Sequence, residues 1–290
     1  MTAGSDKGTW CAIDLTPGRV RGWAMQGDTV TGTARIEAAP DRPGVELAAG
    51  LVEQLDPGAP AVICGLAEAP AVTVPAKPGE IAPVALTGTA VHALPGLRQD
   101  SPAGRIGGDL ARIAGFLALN PGWDGVICLA GPVTHWAQVS ADEVVSFQSF
   151  LTGEAAVALA AAPSLRAACS GDIWDSAAFG EALETAMSRP ERLATGLAAI
   201  GAEAGLGGLR PGQARARLYG LLTGAELAAA RPYWLGQQVA LIGAEADARP
   251  YGEALPRQGV PVTIAHEERM TLAGLTAARR RIVRSGPKAG

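Results

Sequence analysis

A strand–turn–strand–turn–strand unit occurs twice in this chain, roughly a domain apart. The first copy opens with the apolar run Trp10-Cys11-Ala12-Ile13, which ends at Asp14. The turn Thr16-Pro17-Gly18 leads into a strand over 20–25, and Gly27-Asp28 leads into a third over 30–36. The second copy opens with Gly125-Val126-Ile127-Cys128-Leu129, turns at Gly131-Pro132, and continues as strands over 134–139 and 144–150. Short apolar runs closed by Gly, Pro and Asp are what strands and tight turns require. Helical spacing follows each copy. A helix is expected over 44–54, then the buried run Ala61-Val62-Ile63-Cys64-Gly65, mixed loop and strand through the Pro-rich stretch 70–95, and a helix over 110–119. After the second copy come helices over 153–162, 176–187, 190–204 and 211–230, the run Val239-Ala240-Leu241-Ile242 stopping at Gly243, and a last helix from about 266 to 284. Repeated meanders, each followed by helices, predict a two-lobed α/β protein with a cleft between the lobes. A single doubly wound domain with an extended sheet would give the same periodicities.

Composition narrows the function classes. The chain has 290 residues, 48% of them hydrophobic but only 4% aromatic, which suits small-residue helices packed closely on sheets. The formal charge of -4 gives no reason to expect a nucleic-acid partner. The basic cluster Arg279, Arg280, Arg281 and Arg284 reads either as the solvated face of the last helix or as a phosphate patch. The first eight residues are polar, so no secretory signal is expected, and no apolar run reaches the roughly 18 residues of a membrane span. The scattered cysteines, Cys11, Cys64, Cys128 and Cys169, lack metal-binding spacing and are expected to be buried, reduced thiols of a cytoplasmic protein.

Five stretches carry a resemblance. The strand Val126-Ile127-Cys128-Leu129 is followed by Trp136, Val145-Ser146-Phe147 and Phe150-Leu151-Thr152-Gly153-Glu154. Leu94-Pro95-Gly96-Leu97 precedes Gly108-Asp109 and Ile113-Ala114-Gly115-Phe116-Leu117. Then come Gly220-Leu221-Leu222-Thr223-Gly224-Ala225-Glu226-Leu227, Val239-Ala240-Leu241-Ile242-Gly243 with Tyr251, and Thr271-Leu272-Ala273-Gly274-Leu275. In this order, from about Trp10 to Leu275, the chain resembles the 2-keto-3-deoxygalactonokinases. The resemblance implies the two-lobed actin-like ATPase fold with its ribonuclease-H-like repeats. It implies lobes at 1–118, with the first phosphate turn and the sugar-acid side, and at 119–290, with the second phosphate turn and the adenosine side. It also implies ATP-dependent phosphorylation of 2-dehydro-3-deoxygalactonate at the 6-hydroxyl, with Mg²⁺ and a small-molecule sugar acid as ligands, and no nucleic acid or membrane. A homodimer stays open as its assembly.

Residue roles follow from the same resemblance. Asp14 ends the first strand where the family has a turn Asp, and is expected to serve catalysis, cofactor and Mg²⁺, the metal through water; its plainer role is a turn Asp capping amides. Asp109 is expected to accept the hydroxyl proton, or else to cap the helix that starts there. Arg21 and Glu68 match the sugar-acid side, Arg21 either contacting an anion or only pairing with a surface carboxylate. Gly18, Gly131 and Thr134 match the phosphate turns, while Gly220, Gly224 and Gly243 match the adenosine side, or serve tight helix packing and a strand-end turn. Several positions depart from the family. Gly-Thr becomes Thr16-Pro17 in the first turn, which adds a side chain and removes an amide donor. In the second turn Pro132 and Val133 stand where the family has Thr and His, so Thr134 and His135 could replace them only if the turn shifts. Arg-Gly-Glu-Glu-Thr becomes Gly107-Gly108-Asp109-Leu110-Ala111, and the loop before Glu68-Ala69-Pro70 is shorter. The family's Phe-Ser-x-Arg is replaced by Ala198-Ala199-Ile200-Gly201, which removes an anchor for an acid. The alternatives are therefore an active sugar-acid kinase, a non-catalytic binding module on the same scaffold, and a kinase for a different substrate, an uncharged one included. No Walker-type motif supports a P-loop enzyme.

Overall fold

The computed structural model describes residues 8–16, 19–36, 42–171, 173–210 and 212–285. Pro17 and Gly18 of the first turn lie outside the described residues. The chain forms two compact units. The first comprises the described residues up to Asp124, together with Val139–Ser146 and the chain from His266 on; the second comprises Gly125–Gln138 and Phe147–Ala265.

The first unit starts with β1 (Thr9–Thr16), β2 (Arg19–Gln26) and β3 (Thr29–Ile36), an antiparallel meander, followed by α1 (Gly44–Leu55) and β4 (Ala61–Cys64). The segment after β4 forms β5 (Ala71–Thr73), β6 (Val84–Ala85), β7 (Val91–Ala93), β8 (Gly96–Asp100) and β9 (Ala103–Ile106), and then α2 (Asp109–Leu119). The main sheet runs β3-β2-β1-β4-β7-β6, and β5-β8-β9 form a small second sheet. β1 lies parallel to β4, with Asp14 opposite Cys64, and antiparallel to β2, with Asp14 opposite Arg21. From Trp10 to Leu15, β1 is buried at every position, as a central strand covered on both faces must be. Cys11, Ile13 and Leu15 pack with Leu47, Leu51 and Ile63 into this unit's core.

The second unit repeats the plan. β10 (Gly125–Ala130), β11 (Thr134–Ser140) and β12 (Glu143–Phe150), of which Val139–Ser146 is counted with the first unit, are followed by α3 (Thr152–Ala161), α4 (Ser176–Ser188), α5 (Leu193–Gly205), α6 (Gln213–Ala229), α7 (Arg231–Trp234), β13 (Val239–Gly243), α8 (Glu245–Arg257) and β14 (Val262–His266), whose last residue is likewise counted with the first unit. The sheet order is β12-β11-β10-β13-β14, which matches the first unit's β3-β2-β1-β4-β7. β10 is parallel to β13, as β1 is to β4. Its core gathers Val126, Cys128, Trp136, Phe179, Leu241 and Leu255. The closing helix α9 (Glu267–Ser285) belongs to the first unit, where it crosses α2. Four cysteines are free and buried, as expected. Among the described residues, no helix is long and apolar enough to cross a membrane.

Candidate active site

In the first unit the end of β1 delivers Asp14 into a buried knot of charge. Asp14 is fully buried, because its strand is central and its side chain lies under the start of α2. Asp14 Oδ2 accepts from Arg21 Nη2 at 2.8 Å and from Arg112 Nη2 at 3.1 Å. Its Oδ1 accepts from the Thr16 hydroxyl at 2.9 Å and lies 3.6 Å from the Cys64 thiol. Thr16 Oγ1 in turn accepts from Arg112 Nη2 at 3.0 Å. Glu267, the first residue of α9, places Oε1 2.8 Å from Arg112 Nη2 and 3.3 Å from Arg21 Nη2. Asp109 pairs with Arg112 Nη1 three residues on, within one helical turn. Burial pushes the Asp14 carboxyl up, but the Arg112 charge and the bond from Arg21 outweigh it, and the pKa falls below its ordinary value. Among the described residues, no three His, Cys, Asp or Glu side chains are grouped to hold a metal ion. The carboxylates gather on guanidinium groups.

The structure brings Asp14, Arg21 and Asp109 into this one cluster. Asp109 is the first residue of α2, and the cap position falls on Gly108 with no side-chain cap bond, so Asp109 is not the helix cap. Gly108 lies close against Gly65, where a side chain would reach within 3.1 Å of the Gly65 Cα. Glu68 is exposed on the turn after β4. Arg105 of β9 holds that shortened turn, donating Nη2 to the carbonyls of Ala67 at 2.8 Å and Ala69 at 2.7 Å.

The second unit carries a cavity of about 320 Å³ at the turn after β10. Gly131 and Pro132, the start of α3 (Thr152, Gly153), Tyr219 and Thr223 of α6, and Asp247, Pro250 and Tyr251 of α8 line it. Gly153 is required there: a Cβ would lie 2.3 Å from the Gly131 carbonyl oxygen. Beneath the wall sits Glu226, buried, accepting from Trp136 Nε1 at 2.7 Å and from the Tyr251 hydroxyl at 2.8 Å. Burial raises its pKa, against the hydrogen bonds of Thr152, Trp136 and Tyr251. The Tyr251 proton points to Glu226, so its oxygen accepts from Thr134 at 2.8 Å. The Thr223 hydroxyl is buried with no hydrogen-bond partner.

This geometry places the other expected residues. Gly131 lines the cavity. Thr134 is buried in β11 on Tyr251, and His135 pairs Nδ1 with the Ser149 hydroxyl at 2.7 Å, so both are part of the strand's packing rather than of the turn. Gly220 and Gly224 face α4, where a Cβ would meet the carbonyl oxygens of Phe179 at 2.4 Å and Leu183 at 2.5 Å. Helix crossing requires these glycines, and α6 turns Tyr219 and Thr223 to the cavity instead. Gly243 lies against Ala130 of β10, with a Cβ position 2.5 Å from its carbonyl oxygen. Sequence reasoning gave no role to Arg112, Glu267 or Glu226. The i, i+3 spacing of Asp109 and Arg112 on a predicted helix was the one available signal for the first of them.

Comparison with known proteins bears on what such a chain does. The model of the 2-keto-3-deoxy-galactonokinase family matches residues 19–278. The chain belongs to this family. Within the 2-keto-3-deoxy-galactonokinase family, it is 30% identical over 240 residues to a Rhizobium meliloti (strain 1021) protein named probable 2-dehydro-3-deoxygalactonokinase DgoK1, covering 77% of this chain and 78% of that one. A crystal structure of a Sinorhizobium meliloti protein named for the same activity superposes with a TM-score of 0.84 at 27% identity, over 96% of this chain and 100% of the other. Component A of the (R)-2-hydroxyglutaryl-CoA dehydratase of Acidaminococcus fermentans superposes at 0.57 with 11% identity, over 95% and 99%. At that identity the likeness concerns the fold alone, which is the actin-like ATPase fold expected from the sequence. The family and its named members are kinases, enzymes of the transferase class.

Proposed function

We propose that this chain transfers the γ-phosphoryl group of ATP to the 6-hydroxyl of 2-dehydro-3-deoxygalactonate. The bond between the 6-oxygen and the γ-phosphorus forms, the bond to the β-bridging oxygen breaks, ADP leaves, and the hydroxyl proton passes to a carboxylate. The family match over residues 19–278 carries this reading. The second unit's cavity supports it, because it suits a nucleoside. Tyr219, Pro250 and Val157 offer apolar faces, Asp247 offers an acceptor for ribose hydroxyls, and the Thr223 hydroxyl is an unmet polar group in the wall. Gly131 and the first residues of α3 line the same cavity, and a helix start favours negative charge, which supports putting the phosphates on that side. ATP supplies the phosphoryl group; Asp109 is the proton acceptor, and Glu68 on its exposed turn meets the sugar acid.

Magnesium is the poorer fit among the expected ligands. Oδ2 of Asp14 already accepts from two guanidinium groups, and Oδ1 from a hydroxyl, with a thiol alongside. In this reading Asp14 anchors Arg21 and Arg112.

A second reading, a binding module without turnover, is favoured by one observation. The residues lining the cavity include no Lys or Arg, and Pro132 stands in its turn. Isothermal titration with Mg-ATP, with and without 2-dehydro-3-deoxygalactonate, separates the two. The kinase reading expects both ligands to bind, each strengthening the other, and a phosphorylated product by ³¹P NMR. Silence toward millimolar nucleotide would leave the binding-module reading standing.

A further inference from the structure

Glu226 lies behind the second unit's cavity rather than in it, and two residues that line the cavity bond to its carboxylate. It is buried on α6, one turn after Thr223, which lines the cavity. Its Oε1 accepts from Trp136 Nε1 at 2.7 Å and its Oε2 from the Tyr251 hydroxyl at 2.8 Å, and the Thr152 side chain bonds to the same carboxylate. Thr152 opens α3 and Tyr251 belongs to α8, so one side chain of α6 ties together the three helices that form most of the lining. An ionised carboxylate only accepts, so it can take all three partners as donors. The Tyr251 oxygen is itself engaged by Thr134, which fixes the direction of its proton. A glutamine in the same place has one accepting oxygen and an amide nitrogen that only donates, so at least one of these partners would face hydrogens. Burying a carboxylate is costly, and a neutral side chain would hold helices together at less cost. The charge therefore calls for a reason beyond packing.

We propose that Glu226 is a positioning residue of this cavity: its ionised carboxylate, acting through Thr152 and Tyr251, holds the start of α3 and α8 in the arrangement that a ligand binds. The inference rests on the reading of the cavity as a nucleoside site and adds to it a residue that controls affinity without touching the ligand. Uptake of a proton turns one Glu226 oxygen from acceptor to donor, so one of the three partners loses its place and the wall it belongs to relaxes. The ligand selects the ionised form. Affinity is then full above the Glu226 pKa and falls as pH drops through it. Burial raises that pKa and brings the titration closer to neutrality. The titratable groups that face Glu226, Cys128 of β10 and Tyr251 of α8, are pushed well above their ordinary values by burial and by the Glu226 charge, so both stay neutral while Glu226 titrates.

The test is the affinity of the full chain for Mg-ADP, by isothermal titration from mildly acidic to neutral pH, in wild type, Glu226→Gln and Tyr251→Phe. The nucleotide titrates too, as do Glu154 and Asp247 in the cavity, but alike in all three proteins, so the ratio of wild-type to variant affinity isolates Glu226. At neutral pH Glu226→Gln is expected to bind roughly tenfold more weakly, the scale of a lost hydrogen bond to a charged group. That ratio should shrink toward one as pH falls and wild type takes up its proton. Tyr251→Phe keeps the ring in the wall and removes a donor that favours the charged form, so its affinity should fall away at higher pH than that of wild type. A ratio of one throughout, or weaker binding by Glu226→Gln in constant ratio at every pH, would overturn the proposal and leave the nucleoside reading in place. Silence of wild type toward Mg-ADP would sink the nucleoside reading and this inference with it. If Glu226→Gln does not fold, Tyr251→Phe carries the test by itself, and a fall in affinity at the same pH as wild type overturns the proposal.

Discussion

Glu226 is a carboxylate in a place that does not favour charge. It is 3% exposed, and burial raises its pKa above the ordinary 4.5 although Thr152, Trp136 and Tyr251 all bond to it. A group whose folded pKa lies above its unfolded value holds more protons in the folded state across the interval between them. Stability attributable to Glu226 is therefore greatest below about pH 4.5 and declines as pH rises to the higher folded value, by at most about 1.4 kcal/mol per pH unit. Glu226→Gln removes that slope. Its stability, read from urea unfolding at several pH values, should run flatter than wild type over the interval, at a cost of about 1–3 kcal/mol where the Tyr251 or Trp136 donor loses a good acceptor. Equal slopes in the two proteins would show that the charge of Glu226 is not what shapes the pH dependence. Asp14 has the opposite sign: its guanidinium partners lower its pKa, so its contribution is complete above about 3.8 and is lost as pH falls through the lower folded value.

At the scale of elements, α2 and α9 cross with two glycines at the contact. A Cβ on Gly115 would lie 1.9 Å from the Met270 carbonyl oxygen, and one on Gly274 would lie 1.9 Å from that of Ala111. Backbone cannot yield as a side-chain tip can, so Gly115→Ala must push the helices apart. It should destabilise the protein by about 1–3 kcal/mol, read as a lower urea midpoint with nearly unchanged slope. A neutral outcome would mean the helices do not cross this closely. Both glycines stood in the family-like stretches, yet periodicity marks a helix and says nothing about which helix it meets. The same limit separates Gly220 and Gly224, which face α4, from Thr223 between them, which faces the cavity. α8 escaped notice because Pro250 and Pro256 lie inside it, and proline in a sequence argues against helix. The strands β1, β4, β10 and β13 were legible because buried central strands are apolar at nearly every position, a local property. Arg112 was not legible, because its meaning depends on Glu267, whose neighbourhood is set by the return of α9 across 155 positions of chain.

At the scale of the whole molecule, each unit has its own sheet and its own core: Cys11, Ile13 and Leu51 in one, Val126, Trp136 and Phe179 in the other. Two such cores allow two unfolding transitions, and a single free energy of unfolding is not assumed. The cavity proposed to take the nucleoside is lined wholly by residues of the second unit, and the α2–α9 crossing lies wholly in the first. Ligand and mutation should therefore act on different transitions in scanning calorimetry. Mg-ATP at a hundredfold excess over its Kd adds about 2.7 kcal/mol to the state that binds it. At roughly 2–4 °C per kcal/mol, the second unit's transition should rise by several degrees while the first stays in place. Gly115→Ala should do the reverse, lowering the first unit's transition and leaving the second. If both perturbations move one common transition, the units unfold together; if Mg-ATP moves the transition that Gly115→Ala also moves and spares another, the nucleotide binds in the first unit and the assignment of the cavity falls.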